Sequence, residues 1–221
     1  NDNGNNGRTE LVFVVDRSGS MGGLESDTIG GFNSMLSKQR TIAGECRVTT
    51  LLFDHRIETL HNHLDIREVN DLTSRDYWVR GSTALLDAIG LAIDRMIVTQ
   101  RHTAAAYRAQ HVLFVIITDG YENASRRYSL HQIKQMITYE RERYHWEFVF
   151  LGANIDAEQT AGDFGISPRC ATDFHADGQG IKASFEAVAC AATAVRGGAD
   201  LDDLSAPDFL GGVRDDYRSR R

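Results

Sequence analysis

No stretch of this 221-residue chain approaches the ~18–20 consecutive apolar residues needed to cross a bilayer. Cysteine is scarce. Cys46, Cys170 and Cys190 stand apart among apolar or small neighbours, with no CxxC pairing. An odd, unclustered set argues against a disulfide framework or a thiolate zinc site, and for reduced, buried thiols of the cytosolic kind. Positive charge is short as well: the formal net charge is −7 and the pI about 5.6. A protein that neutralises phosphates needs a basic face, so nucleic acid is not an expected partner. The basic residues that exist are scattered or interleaved with acids, as in Tyr139-Glu140-Arg141-Glu142-Arg143, which reads as a solvated helix face.

Phosphate cradles are missing too. There is no GxxxxGK[ST], and Gly19-Ser20-Met21-Gly22-Gly23 lacks the GxGxxG spacing. The start of the chain, residues 1–8, is polar and glycine-rich rather than signal-like, and without an initiator methionine it reads as a processed or excised piece.

With 42% hydrophobic and 25% charged residues, the chain has the balance of a soluble globular protein and enough length to bury one full core. Continuous apolar runs alternate with amphipathic segments, the pattern of a mainly parallel sheet covered by helices on both faces. Strands are expected at Leu11–Val15, Arg47–Phe53, Ile57–Leu60, His111–Thr118, Trp146–Leu151 and Cys170–Phe174, the last at an edge. The short link Asp54-His55-Arg56 makes the second and third strands an antiparallel hairpin. Helical stripes run over Ser26–Lys38, Ala84–Val98, the segment of Leu130, Ile133 and Ile137, and the segment from Ile181 to Val195. Asp156 with Gln159 looks like a capping box for a short helix ending near Gly165. The expected division is a flexible N-terminus over 1–8, one domain over 9–196, and a tail or linker over 197–221.

Two apolar strands each end in an aspartate: Val14-Val15-Asp16 and Ile117-Thr118-Asp119. In an open α/β sheet ligands bind beyond the carboxyl ends of strands, at the point where strand order switches. Two carboxylates there repel one another unless a cation sits between them. Asp16 also opens Asp16-Arg17-Ser18-Gly19-Ser20, with an oxygen side chain at every second position and a glycine to let the loop turn. Hard oxygen donors select magnesium, manganese or calcium over copper or zinc.

Asp16-x-Ser18-x-Ser20 after an apolar strand resembles the metal-ion-dependent adhesion site of von Willebrand factor A (VWA) domains. That family adds a threonine in a glycine-rich loop, matched by Thr83 in Arg80-Gly81-Ser82-Thr83-Ala84-Leu85, and an aspartate ending the central strand, matched by Asp119. The triplet alone is weak; all five positions in order are specific. The resemblance covers roughly Thr9 to Val195. It implies a three-layer Rossmann-like α/β fold with one antiparallel edge strand. It also implies a Mg2+, Mn2+ or Ca2+ site on Asp16, Ser18, Ser20, Thr83 and Asp119, and a protein partner donating an Asp or Glu to the metal. The bacterial intracellular branch of the family often works beside AAA+ ATPases, so such an ATPase or another operon-encoded protein is the partner this resemblance suggests, in the cytoplasm.

Other features have plainer readings. His61 and His63 have the i, i+2 spacing that puts both rings on one face of a regular strand, though no further ligand is near them in sequence. Glu25, Asp27, Tyr121, Glu122, Asn123 and Asn154 fall in loops at the same sheet edge as the aspartates and are candidates for a rim that chooses a partner. Asp87 and Asp94 read as solvent-facing or helix-stabilising. The rival function is a metal-dependent hydrolase or phosphatase with Asp16 as nucleophile. It would need a second acid where Ser18 stands and a lysine at a strand end, yet Lys38, Lys134 and Lys182 all lie elsewhere.

Overall fold

The apolar runs do what their continuity demands. In a computed structural model describing residues 7–220, all eight residues of β1 (Thr9–Asp16) are buried, and so are eight of the nine in β4 (His111–Asp119). With β2 (Cys46–Phe53), β3 (Ile57–Asp65), β5 (Glu147–Ala153) and β6 (Ala171–Asp173) they form a six-stranded sheet of order β3-β2-β1-β4-β5-β6. Every pairing is parallel except β2 with β3, the edge hairpin turned at Asp54-His55-Arg56. The expected three-layer α/β architecture is present.

The helices α1 (Glu25–Arg40) and α5 (Gly178–Arg196) pack together on one face, and α2 (Leu85–His102) and α3 (Leu130–Tyr144) on the other. Their starts follow local chemistry. Ser129 and Gln132 form a capping box at α3, Asp156 accepts from Gln159 N at 2.9 Å to open α4 (Ala157–Asp163), and Asp177 caps α5. Because β1 connects through α1 to β2 on one side, while β4 lies on its other side and leads away through α3 to β5, the strand order switches between β1 and β4. Asp16 and Asp119 both stand at that switch.

Two sequence expectations change in three dimensions. Cys46 and Cys170 are buried, and burial pushes the Cys46 thiol up to about 12, but Cys190 is exposed on the outer side of α5. His61 and His63 do not share a face. Register shifts interrupt the β2–β3 ladder, and His63 takes a left-handed backbone with φ 55°. His61 lies 3.0 Å from Thr50 Oγ1 and stacks on Phe32, while His63 reaches Glu10 Oε1 at 2.7 Å on the opposite face.

Residues 1–6 of the expected flexible N-terminus lie outside the described residues; Arg8 pairs with Glu45 at 2.7 Å. The stretch after Gly198, whose composition suggests a tail, lies against the domain. Leu201, Leu210 and Val213 are buried, and α6 (Gly211–Ser219) packs on α5 and β6. This docking sets Asp200 and Asp202 beside Glu147 at the start of β5. Burial, and then repulsion by those two carboxylates, lift the Glu147 carboxyl from an ordinary 4.5 to about 7. The folded chain therefore holds this proton more tightly than the unfolded chain, and loses stability as pH rises from 4.5 to 7. Glu147→Gln is expected to raise stability at pH 8 by about 1–3 kcal/mol, since one unit corresponds to ~1.4 kcal/mol. In urea titrations the gain should vanish at pH 4.

Candidate cation site at the switch of strand order

Asp16 is fully buried and both its oxygens are engaged. Oδ1 accepts from Ser18 N at 2.6 Å; Oδ2 accepts from Thr118 Oγ1 at 2.7 Å and from Asp119 N at 3.3 Å. One carboxylate thus ties the loop after β1 to the end of β4. The same loop is pinned from outside: the Tyr77 hydroxyl donates to Asp16 O at 2.6 Å, and Arg17 N donates to Phe53 O at 2.7 Å.

The turn that follows brings the hydroxyls together. Ser18 Oγ and Ser20 Oγ are 3.0 Å apart, Ser18 buried and Ser20 exposed. Thr83 arrives on a second loop, which docks through Gly19 N to Gly81 O at 3.1 Å and Arg80 N to Arg17 O at 2.9 Å. Gly81 is required there. Its φ is +69°, and a Cβ would lie 2.2 Å from the His55 ring. Asn123 holds Thr83 on both sides of its backbone: its Oδ1 accepts from Thr83 N at 2.9 Å, and its own N donates to Thr83 O at 3.0 Å. A Cβ placed on Gly120 would sit 3.6 Å from Ser20 Oγ and 3.9 Å from Thr83 Oγ1, so both hydroxyls flank one point beyond the end of β4. All five residues singled out in the sequence, Asp16, Ser18, Ser20, Thr83 and Asp119, therefore gather at one place.

The electrostatics there are unbalanced. Burial raises the Asp16 carboxyl above its ordinary range despite its hydrogen bonds. Burial also raises that of Asp119; the Asn154 amide opposes this and repulsion from Asp16 adds to it. Among the described residues neither carboxylate has an ion pair with lysine, arginine or histidine. The neighbouring Arg17 is turned away to Asp54 Oδ2 at 3.2 Å and Glu58 Oε2 at 2.8 Å. No group of three or more His, Cys, Asp or Glu side chains that could hold a metal occurs among the described residues. A cation here would rest on two carboxylates and three hydroxyls, a donor set that fits a hard dication keeping some of its waters.

Several supports were invisible in the sequence or read differently. Asp54, seen there only as a turn residue, is buried and accepts from Arg17 Nε at 3.2 Å, Arg80 Nε at 2.8 Å and Arg56 N at 2.7 Å, locking the first two loops together. Of the expected rim, Glu122 is consumed internally, accepting from Leu86 N at 2.9 Å and Ser125 N at 2.6 Å. Asn154, at φ 55°, donates to Asp119. Tyr121 remains open, at 59% exposure. Asp87 is not simply solvent-facing: it accepts from the backbone of Arg126, Arg127 and Tyr128 at 2.8–2.9 Å, and Asp94 accepts from Tyr128 Oη at 2.5 Å. Both fasten the third loop to α2.

The sequence matches no protein-family model and no curated protein. Solved structures do resemble it. Proximal thread matrix protein 1 from the mussel byssus aligns over 84% of this chain with a TM-score of 0.56 and 14% identity, and the aligned part is 46% of that protein's chain. A further crystal of it has a zinc-occupied MIDAS motif, the metal-ion-dependent adhesion site. Manganese-loaded TRAP from Plasmodium vivax aligns over 81% of this chain and 72% of its own, with a TM-score of 0.54 and 15% identity. A von Willebrand factor type A structure from Catenulispora acidiphila aligns over 83% of this chain and 42% of its own, with a TM-score of 0.54 and 10% identity. The present chain spans less than half the length of the mussel protein. The fold is VWA-like.

Proposed function

We propose that this chain is a divalent-cation-dependent protein-binding module, with Asp16, Ser18, Ser20, Thr83 and Asp119 as the metal site and Mg2+, Mn2+ or Ca2+ as the ion. The observation that carries the reading is the pair of buried carboxylates at one switch point, without a cationic partner among the described residues, beside three converging hydroxyls. A hard dication held there would offset both charges and offer a coordination position to an Asp or Glu of a partner. The chain's own residues supply the rest. Asp16 fixes the loop geometry through its three donors, Asn123 positions Thr83, and Ser20 faces outward. Metal-loaded solved structures of the same fold support the reading. No helix among the described residues is long and apolar enough to cross a membrane. A cytoplasmic role of the bacterial intracellular kind, next to an AAA+ ATPase or another operon-encoded protein, is the setting we favour.

Catalysis is the less favoured reading. A nucleophilic Asp16 would need a free oxygen facing the solvent, whereas its carboxylate is fully buried with both oxygens bonded. The test begins with Thr83→Ala. The backbone bonds to Asn123 survive the change, so the fold should melt within about 2 °C of wild type, as for a substitution of ~0.5 kcal/mol. Manganese affinity measured by calorimetry should fall about tenfold, which is ~1.4 kcal/mol. A partner recovered from lysate with magnesium should be lost with chelator and with Thr83→Ala. Unchanged affinity and recovery would defeat the proposal.

A further inference from the structure

The cleft at the opposite end of the sheet contains a carboxylate that the switch-point site does not use. Glu140, on the last turns of α3, is 4% exposed, and its side chain makes no hydrogen bond or ion pair with any described residue. Burial holds its carboxyl above the ordinary range, opposed by the charge of Arg101. The residue is packed in, yet its carboxylate oxygens stay open to the cleft, where a charged group can approach them. The cleft, of about 190 Å3, lies between the C-terminal ends of α2 and α3.

The rest of the lining is specific in character. Tyr139 and Tyr144 meet edge to face at 6.0 Å and are each about half exposed. Trp146 is buried and its ring stacks on Phe114 at 5.5 Å. Arg101 and Arg108 stand exposed among the lining residues; Arg108 Nε is anchored on Thr103 O at 2.9 Å, and Arg101 has no ion pair among the described residues.

We propose that this cleft binds a small zwitterion with an apolar body, the chemistry of a free apolar amino acid. Its ammonium would pair with Glu140, its carboxylate with Arg101 and Arg108, and its side chain would lie on Tyr139, Tyr144 and Trp146. Three observations narrow the ligand to this class. The volume is below the ~300–1,000 Å3 of pockets for drug-sized ligands, so the occupant is small. A simple anion would meet the buried carboxylate, and a simple cation would meet two guanidinium groups; a molecule carrying both charges satisfies both. Aromatic faces favour an ammonium beside them and an apolar body against them. The site is separate from the switch-point cluster, so binding should not depend on metal.

The experiment titrates L-phenylalanine, N-acetyl-L-phenylalanine and L-phenylalaninamide into the full chain by calorimetry, in the presence of chelator. Phenylalanine should bind with a Kd of ~1 mM or tighter, and each blocked form, lacking one charge, at least about tenfold more weakly. Glu140→Gln keeps the shape and removes the charge. It should cut phenylalanine affinity at least about tenfold without lowering the melting temperature, because the charged form is the one that burial penalises. The idea is overturned if Glu140→Gln binds as well as wild type, or if the blocked forms bind as well as phenylalanine. It is equally overturned if wild type shows no binding of phenylalanine or leucine at about 10 mM.

Discussion

Asp119→Ala is expected to abolish manganese binding and to leave the metal-free fold at least as stable as wild type. The second half of that expectation is the sharper one. Asp119 is 2% exposed, close to the buried Asp16 carboxylate, and paired with no cation among the described residues. Removing it relieves that repulsion. The cost is an Asn154 amide without its acceptor, but Asn154 is exposed and can turn to water. In wild type, manganese at 100 times its Kd should add ~2.7 kcal/mol of stability, a rise in melting temperature of several degrees for a domain of this size. The variant should show no rise. Melting curves with and without manganese read both halves at once, and a variant that still gains several degrees would remove Asp119 from the site. Asp16→Ala is a poorer choice, since it strips the acceptor from Ser18 N, Thr118 Oγ1 and Asp119 N together and would confound binding with folding.

Asp54→Ala should cost the most stability of any single change near the site, about 3–5 kcal/mol, the usual consequence of leaving a buried charge without its partner. Arg17 is 1% exposed, and its remaining partner, Glu58, is half exposed and less able to compensate. Arg80 and the Arg56 amide lose their acceptor as well. Urea denaturation measures the loss; a value below about 1 kcal/mol would mean that the network contributes little. Arg17→Met in the same chain should return part of it, because the uncompensated charge goes too. The pH dependence has a definite sign. Burial pushes the Asp54 carboxyl up, but Arg80, the Arg56 amide and Arg17 outweigh it and hold it below the ordinary 3.8. Its contribution is therefore complete above pH 3.8 and lost as pH falls through the lower folded value. Wild type should show this acid loss and Asp54→Ala should not.

These two carboxylates also mark how far the chain could be read without coordinates. Asp119 was legible because a short continuous apolar run, rich in β-branched residues, reads as a central strand of a parallel sheet, and the residue ending it emerges at the sheet edge. The same logic placed Asp16, and helical periodicity placed α1, α2 and α5 to within a few residues and the first half of α3. Asp54 was not legible. Its partners Arg17 and Arg80 are 37 and 26 residues away, and nothing in its own neighbourhood distinguishes it from an ordinary turn residue.

What the sequence determined by itself was local in origin: strand and helix type from the period of apolar residues, and the side-chain oxygens in short motifs that the fold brings to one place. What only the tertiary structure decided was long-range. It decided the split of His61 and His63 across a bulged strand, the docking of residues 197–220 with Glu147 caught between carboxylates, the exposure of Cys190, and the solitary burial of Glu140. The physical reason is that burial and charge balance are properties of what packs against a residue, and those neighbours arrive from distant parts of the chain.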